Sequence, residues 1–277
     1  MNIQSSDVVL ITGASGGLGT HMVHEFARHR VRLVLVAYPG NELEELAVEI
    51  KKQGCECTAY VFDLRKRNER EQLIDDVLKR FGRVDILVNN AGIEYTSYYH
   101  DLSEDKILDV LNVNLEAPMI LTRKLLPPML ERRRGHVVNI SSLAGKSGPA
   151  FQEPYSASKA GLIAFTASLR ATYRGSGVNA SVIVPGFVET GIYSNLKQLT
   201  KCSAPPWLGT STPESVAKAI IRAIERNRPE IIINPLPVRP LVAFTALLPT
   251  AGEWLIGKIG SNQFFKKAVD AQKRGQP

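Results

Sequence analysis

Residues 8–19, Val-Val-Leu-Ile-Thr-Gly-Ala-Ser-Gly-Gly-Leu-Gly, constrain the fold more than any other stretch of this chain. Val8, Val9, Leu10 and Ile11 form an unbroken apolar run, and such a run bounded by glycine reads as a strand buried on both faces. Beyond Gly19, Met22, Val23, Phe26 and Ala27 recur at helical spacing. A buried strand, a glycine turn and a helix N-terminus in that order make a diphosphate site. Unpaired amides and the positive end of the helix dipole face the anion, and glycines let the backbone come close to it. The spacing is Gly-x-x-x-Gly-x-Gly instead of the commoner Gly-x-Gly-x-x-Gly, so the strand-to-helix context carries the reading.

The same alternation continues. Strands are expected at residues 32–37, 58–62, 86–88, 136–140, 180–184 and 230–233, with helices at 41–53, 68–81, 103–131, 155–174 and 213–226. Strands that alternate with helices imply a parallel sheet covered on both faces. In such sheets ligands bind beyond the carboxyl ends of the strands, where the strand order reverses. Gly13, Asn90, Ser142 and Gly186 all follow strands, so their motifs converge on one sheet edge.

Tyr155 and Lys159 lie four apart on a helix and therefore share a face. An ammonium there favours the ionised phenol and lowers its pKa from about 10, giving a proton donor and acceptor usable near neutral pH. Ser142 stands thirteen positions before Tyr155. Asn114 precedes Pro118 by four residues. The proline has no amide hydrogen to give the Asn114 carbonyl, so that carbonyl is expected to be free near a helix kink.

Taken together, the glycine turn, Asn89-Asn90-Ala91-Gly92, Asn112-Val113-Asn114-Leu115, Ser142 with Tyr155-x-x-x-Lys159, and Pro185-Gly186-Phe187-Val188-Glu189-Thr190 resemble the short-chain dehydrogenases/reductases from about Asp7 to Asn234. The resemblance implies an α/β, Rossmann-type doubly wound sheet of seven parallel strands with helices on both faces. Residues 1–234 would form the dehydrogenase/reductase domain, with a substrate loop at about 190–212, and residues 235–277 a helical C-terminal extension packed on it. It implies Tyr155 as general acid in reduction and general base in oxidation, with Ser142 donating to the substrate oxygen. Lys159 would lower the Tyr155 pKa and hold the nicotinamide ribose, and Asn114 would anchor a water that relays protons to Lys159.

For the cofactor, Ile11, Ser15, Gly17 and Leu18, with Gly13 and Gly19, would approach the diphosphate. Asp63 and Leu64 would meet the adenine, and Asn90, Ala91 and Gly92 its ribose side. Pro185, Val188 and Thr190 would fix the nicotinamide carboxamide. An acid at the end of the second strand selects NAD and a nearby arginine NADP. Here those places hold Ala37 and Tyr38, and Gly16 stands where NADP users are often basic. With no acid to repel a phosphate, NADP is favoured over NAD.

The remaining features narrow the function. No ~20-residue apolar span is present, and no secretory leader is read at the start. Three cysteines, an odd number, argue against a disulfide framework. Cys55 and Cys57 read as reduced, buried thiols, and His21 and His24 lack a third ligand, so no metal site is expected and a cytoplasmic protein is. The formal charge of +7 sits largely from Lys201 onward, where eleven Lys and Arg face five Asp and Glu. The basic residues are scattered, which speaks against nucleic-acid binding, and Arg132-Arg133-Arg134 reads as a solvated helix end.

Tyr95, Tyr98, Tyr99 and Phe151, with Tyr193, Leu196, Leu199 and Trp207, suggest an apolar pocket for a small carbonyl or alcohol substrate. The apolar residues after Asn234, interleaved with lysines, allow two readings: packing over that pocket or a subunit partner, or a basic amphipathic surface resting on a membrane. The expected activity is interconversion of a carbonyl and a secondary alcohol on a lipid-, steroid- or acyl-like substrate, in a homodimer or homotetramer paired through the Tyr155 helix. Two other functions stand beside it: a nucleotide-sugar epimerase or dehydratase, against which the glycine spacing and Asn-Asn-Ala-Gly run argue, and a non-catalytic dinucleotide-binding redox sensor.

Overall fold

A computed structural model describes residues 1–40, 42–205 and 208–275. Seven parallel strands, β1 (Val8–Thr12), β2 (Arg32–Ala37), β3 (Cys57–Val61), β4 (Ile86–Asn89), β5 (Gly135–Ile140), β6 (Val178–Pro185) and β7 (Glu230–Ile233), form one sheet in the order β3-β2-β1-β4-β5-β6-β7. All seven expected strands are present, with ends shifted by two residues at most.

Continuous apolar strands follow from burial on both faces. In β1, Val9 and Ile11 pack into one core cluster while Val8 and Leu10 pack into another, and β2 divides in the same way between Leu33, Leu35 and Val34, Val36. The first cluster is closed by α1 (Gly17–Ala27), α2 (Leu43–Lys52) and α9 (Pro213–Glu225), the second by α3 (Arg67–Phe81) and α5 (Ala117–Glu131). Ile11, expected at the diphosphate, is wholly buried in the first cluster: it is an inward residue of a central strand, and only the turn beyond it reaches the edge.

The helix expected over 103–131 is interrupted as the missing Pro118 amide requires. After α4 (Glu104–Leu111) the backbone widens into a π-helical turn, Asn112–Glu116, in which the Ala117 amide donates to the Asn112 carbonyl, and α5 follows. Such widened turns are a recognised way to absorb a lost intrahelical bond.

The arginine triplet follows the end of α5, with Arg132 and Arg133 exposed as expected, but it also pairs inward. Arg134 reaches both carboxylate oxygens of buried Asp7 at 3.0 Å, and Arg132 reaches Asp85 at 3.4 Å. Asp85 also accepts from the Val8 amide at 2.9 Å. These buried carboxylates at the amino ends of β1 and β4 need cations. They anchor the two central strands at the sheet edge opposite the motifs.

The chain continues past β7 into α10 (Arg239–Leu247), α11 (Pro249–Ile259) and α12 (Ser261–Gly275). α12 buries Phe264 and Phe265 against Tyr193 and Leu196 of α8 (Gly191–Thr200). No helix among the described residues is long and apolar enough to cross a membrane.

Candidate functional site

The strand order reverses between β1 and β4, which is where a ligand crevice opens in a sheet of this kind. A cleft of about 840 Å³ lies there. Of the expected cofactor residues, Gly13, Ser15, Gly17, Leu18 and Gly19 line it from the first turn, and Asn90, Ala91 and Gly92 from the β4 end. Tyr38, Asp63 and Leu64 line one end, and Pro185, Val188 and Thr190 the other.

Two glycines show why the turn has this composition. Gly13 has φ +65, and a Cβ there would come within 2.8 Å of the Ala91 backbone. A Cβ at Gly17 would collide with the Thr190 hydroxyl. Side chains at these two places would push apart the three segments that meet at the cleft. Asn90 joins two of them: its amide donates to the Thr12 and Gly13 carbonyls at 3.0 Å, while its backbone N–H and that of Ala91 donate to the Thr12 hydroxyl at 3.0 and 3.1 Å. The side chain expected beside a ribose is occupied in holding the turn.

Ser142, at the end of β5, and Tyr155 and Lys159, on α7 (Glu153–Thr172), face the same cleft. The Ser142 Oγ accepts from the Ala144 N–H at 3.1 Å, which fixes its position. The Lys159 Nζ lies 5.6 Å from the Tyr155 ring centroid and donates to the Ile140 carbonyl at 2.9 Å. Desolvation pushes the Tyr155 phenol up to about 12, while the hydrogen bond with Ser142 pulls it down. Burial brings the Lys159 ammonium down to about 8. The expected lowering of the phenol by Lys159 is therefore corrected. Loss of hydration moves the phenol upward, the Ser142 hydrogen bond opposes it and the Glu94 charge adds to it, while the ammonium faces the ring and a carbonyl.

Asn114 does not line the cleft. It is wholly buried, and its Nδ2 donates to the Ile93 carbonyl at 2.9 Å and to the Ser158 hydroxyl at 3.2 Å, while its Oδ1 accepts from the Ile93 amide at 2.9 Å. It fastens the loop after Gly92 to the π-helical turn and to α7. Gly92 packs between Asn114 and Lys159, since a Cβ there would lie 3.4 Å from Oδ1 and 3.3 Å from Nζ.

At the adenine end sequence reasoning missed Arg65. Its guanidinium grips Asp63 at 2.8–3.1 Å and Asp109 at 3.1 Å, and lies 5.8 Å from the Tyr38 ring centroid. The pairing holds the Asp63 carboxyl below its usual range. Arg65 and Lys159 are the basic side chains lining the cleft among the described residues. The Asp-Leu-Arg spacing was the available signal, but nothing in it said which way the arginine turns.

The substrate end is apolar. Phe187 meets Tyr193 at 5.2 Å and Phe264 at 5.5 Å between ring centroids, and Leu241, Val242, Ile256 and Phe265 bring the C-terminal helices to the cleft wall. Tyr95 also lines the cleft. Four of the expected pocket residues do not: Tyr98 and Phe151 pack edge to face at 5.2 Å, and Tyr99 and Leu199 are exposed. Trp207 lies outside the described residues.

The family model described as short chain dehydrogenase matches residues 7–200. A ketoacyl reductase HetN from Nostoc sp. is 38% identical over 276 residues, covering 98% of this chain and 95% of its own length. The human 17-beta-hydroxysteroid dehydrogenase 13 is 31% identical over 264 residues, covering 94% and 85%. Among solved structures, a metagenomic short-chain oxidoreductase in complex with NADP has a TM-score of 0.72 at 29% identity, over 85% of this chain and 99% of its own. An actinorhodin polyketide ketoreductase with NADPH has a TM-score of 0.76 at 29% identity, over 84% and 97%.

Proposed function

The chain belongs to the short-chain dehydrogenase/reductase family, and on that premise we propose that it is an NADP-dependent carbonyl reductase whose substrate is apolar and lipid-, steroid- or acyl-like. It is an oxidoreductase acting on CH–OH groups. The observation that carries the reading is one cleft with the glycine turn and Arg65 at one end, aromatic and aliphatic walls at the other, and Ser142, Tyr155 and Lys159 between them.

The residues fit a nicotinamide dinucleotide. The glycine turn lines the cleft with backbone and opens onto the N-terminus of an eleven-residue helix. Pro185, Val188 and Thr190 would hold the nicotinamide end, and Asp63 and Leu64 the adenine. Arg65 would meet the 2′-phosphate, in keeping with the NADP and NADPH of the two similar structures. When bound, the dinucleotide supplies the hydride.

The other steps belong to the chain. Ser142 donates to the substrate oxygen and stabilises the charge that develops there. Tyr155 gives that oxygen its hydroxyl proton. Burial, which holds the phenol above its ordinary range, keeps it protonated at neutral pH, and the same oxygen that gives its proton in reduction takes one back in oxidation. Lys159 places positive charge near the phenolate as it forms, and the Asn114 carbonyl, freed by Pro118, would hold the water that returns the proton. In this reading residues 1–234 carry the chemistry and 235–277 shape its substrate.

Two surfaces bear on partners. The C-terminal helices divide their apolar residues: Leu241, Val242 and Ile256 turn to the cleft, while Leu247, Leu248 and Trp254 are exposed at 80%, 54% and 63%. Placed beside the apolar end of the cleft, in a region with a basic excess, these three would rest on an anionic lipid surface, from which an apolar substrate could pass inward. On α7 the exposed Ala157, Ala160, Ala164 and Ala167 leave a flat strip suited to pairing with a second copy. The three free thiols fit a reducing, cytoplasmic setting.

The test is a panel of ketones and secondary alcohols of graded chain length, followed by nicotinamide absorbance. Turnover that rises with apolar length is expected. No oxidation or reduction of any member, with the dinucleotide bound, would favour the sensor reading instead.

A further inference from the structure

Arg65 meets two competing demands at the adenine end of the cleft. Each nitrogen of its guanidinium is already engaged. Nε and Nη2 donate to the Asp63 carboxylate at 2.8–3.1 Å, and Nη1 donates to Asp109 Oδ2 at 3.1 Å. The two carboxylates differ in origin. Asp63 follows β3 and lines the cleft itself, whereas Asp109 belongs to the last turn of α4 and does not line it.

One cation between two anions is more than neutralised, and its neighbours do not restore the balance. Lys66 is drawn off by Glu69 at 2.8 Å, and Glu69 also accepts from the Asp63 N–H at 2.6 Å. Lys159, the other basic side chain of the cleft, is held at the Ile140 carbonyl beside Tyr155. A guanidinium binds a phosphate best as a fork, through two nitrogens at once. Here Nη1 already serves Asp109, so a phosphate that joins it brings like charge up to that carboxylate. The Arg65 and Asp109 side chains are 38% and 27% exposed, so water already weakens their pair and an incoming anion can contest it. The charge that opposes a phosphate is usually an acid at the end of the second strand. That place holds Ala37 and Tyr38 here, and the opposing charge comes from α4 instead.

We propose that Asp109 is a positioning residue for cofactor selection: by holding Nη1 of Arg65 it lowers the affinity for a 2′-phosphate, and so narrows the preference for NADP over NAD without touching the dinucleotide. The inference rests on Arg65 being the partner of that phosphate. Asp109 separates the two cofactors more cleanly than Asp63, because Asp63 would meet the adenine that both of them carry.

Calorimetric binding of NADPH and NADH to the full chain tests it without a ketone. Asp109→Asn keeps the shape of the side chain and removes its charge. Affinity for NADPH should rise by about 5- to 10-fold, the effect of one like charge withdrawn across about 6 Å near a protein surface, while affinity for NADH stays within about two-fold of wild type. Asp109→Glu retains the charge and should retain the wild-type NADPH:NADH ratio. In the Arg65→Ala background the gain from Asp109→Asn should disappear, since the carboxylate then holds nothing. A ratio that Asp109→Asn leaves unmoved or lowers, or a gain that survives in full without Arg65, overturns the proposal. Arg65→Ala alone judges the reading beneath it, and should lower the ratio. If it does so while Asp109→Asn has no effect, only the role of Asp109 is lost. If it does not, the 2′-phosphate lies elsewhere and both fall.

Discussion

Replacing Asn114 by Leu tests whether the site is held from behind the cleft. The side chain is wholly buried and makes three hydrogen bonds, two to the Ile93 backbone and one to Ser158. Leucine is close in volume, so little cavity forms, and the loss is chiefly that of polar groups left without partners. At about 1 kcal/mol for each bond, the cost is about 3 kcal/mol. For 277 residues the unfolding entropy corresponds to about 0.6 kcal/mol per degree, so Tm should fall by about 5 °C. Ser158→Ala removes one of the three partners and should cost about a third as much. Release of the Ile93 segment should also shift Gly92 against Lys159, and displacements of this kind cost about 100-fold in turnover. Thermal unfolding and steady-state kinetics of both variants read the two effects. A Tm within about 1 °C of wild type, with unchanged kcat, would show that the three bonds do not hold the loop.

The other predictions concern charge and surface. Lys159 has its pKa lowered on folding, to about 8. Between that pH and its ordinary value of 10.5 the unfolded chain therefore binds the more protons, and stability rises with pH across the window. The buried ammonium costs about 3 kcal/mol below pH 8, so the stability of wild type relative to Lys159→Met should increase from pH 8 to pH 10 in urea unfolding; a flat difference would contradict the burial argument. Arg65→Ala should reduce kcat/KM for NADPH by about 10-fold or more, the worth of a charge-assisted bond, and spare NADH; equal effects on both would remove Arg65 from the 2′-phosphate. Exchange of both Leu247 and Leu248 for glutamate should weaken sedimentation with anionic liposomes by about 100-fold, from two buried leucines at about 1.5 kcal/mol each. Unchanged partition would end the membrane proposal.

Much of the fold was legible because both-face burial leaves an unmistakable trace. Each parallel strand reads as an apolar run, and each strand end carries a motif residue at the cleft. Pro118 announced the irregular turn around Asn114 through its missing donor. Long-range polar pairing was not legible. The destinations of Arg132 and Arg134 depend on Asp7 and Asp85 reaching the same sheet edge, which no local pattern encodes. Arg65 and Asp63 are two residues apart, yet only the closed adenine end shows that the arginine turns back. The phenol's pKa direction was misjudged for a related reason: helical spacing puts Lys159 near Tyr155, but desolvation is a property of the folded surroundings. The C-terminal apolar stripe meets the packing expectation in part, since Leu241, Val242 and Ile256 line the cleft, while its exposed residues belong to the membrane proposal alone.

The account depends most on Tyr155 as the proton donor, and Tyr155→Phe removes one oxygen from it with the ring retained. NADPH binding followed by fluorescence should stay near the wild-type value, while kcat for ketone reduction falls by 10²–10⁴-fold, the usual share of a positioned acid. Turnover within a few-fold of wild type, with the dinucleotide bound, would contradict the assignment of the proton to this phenol.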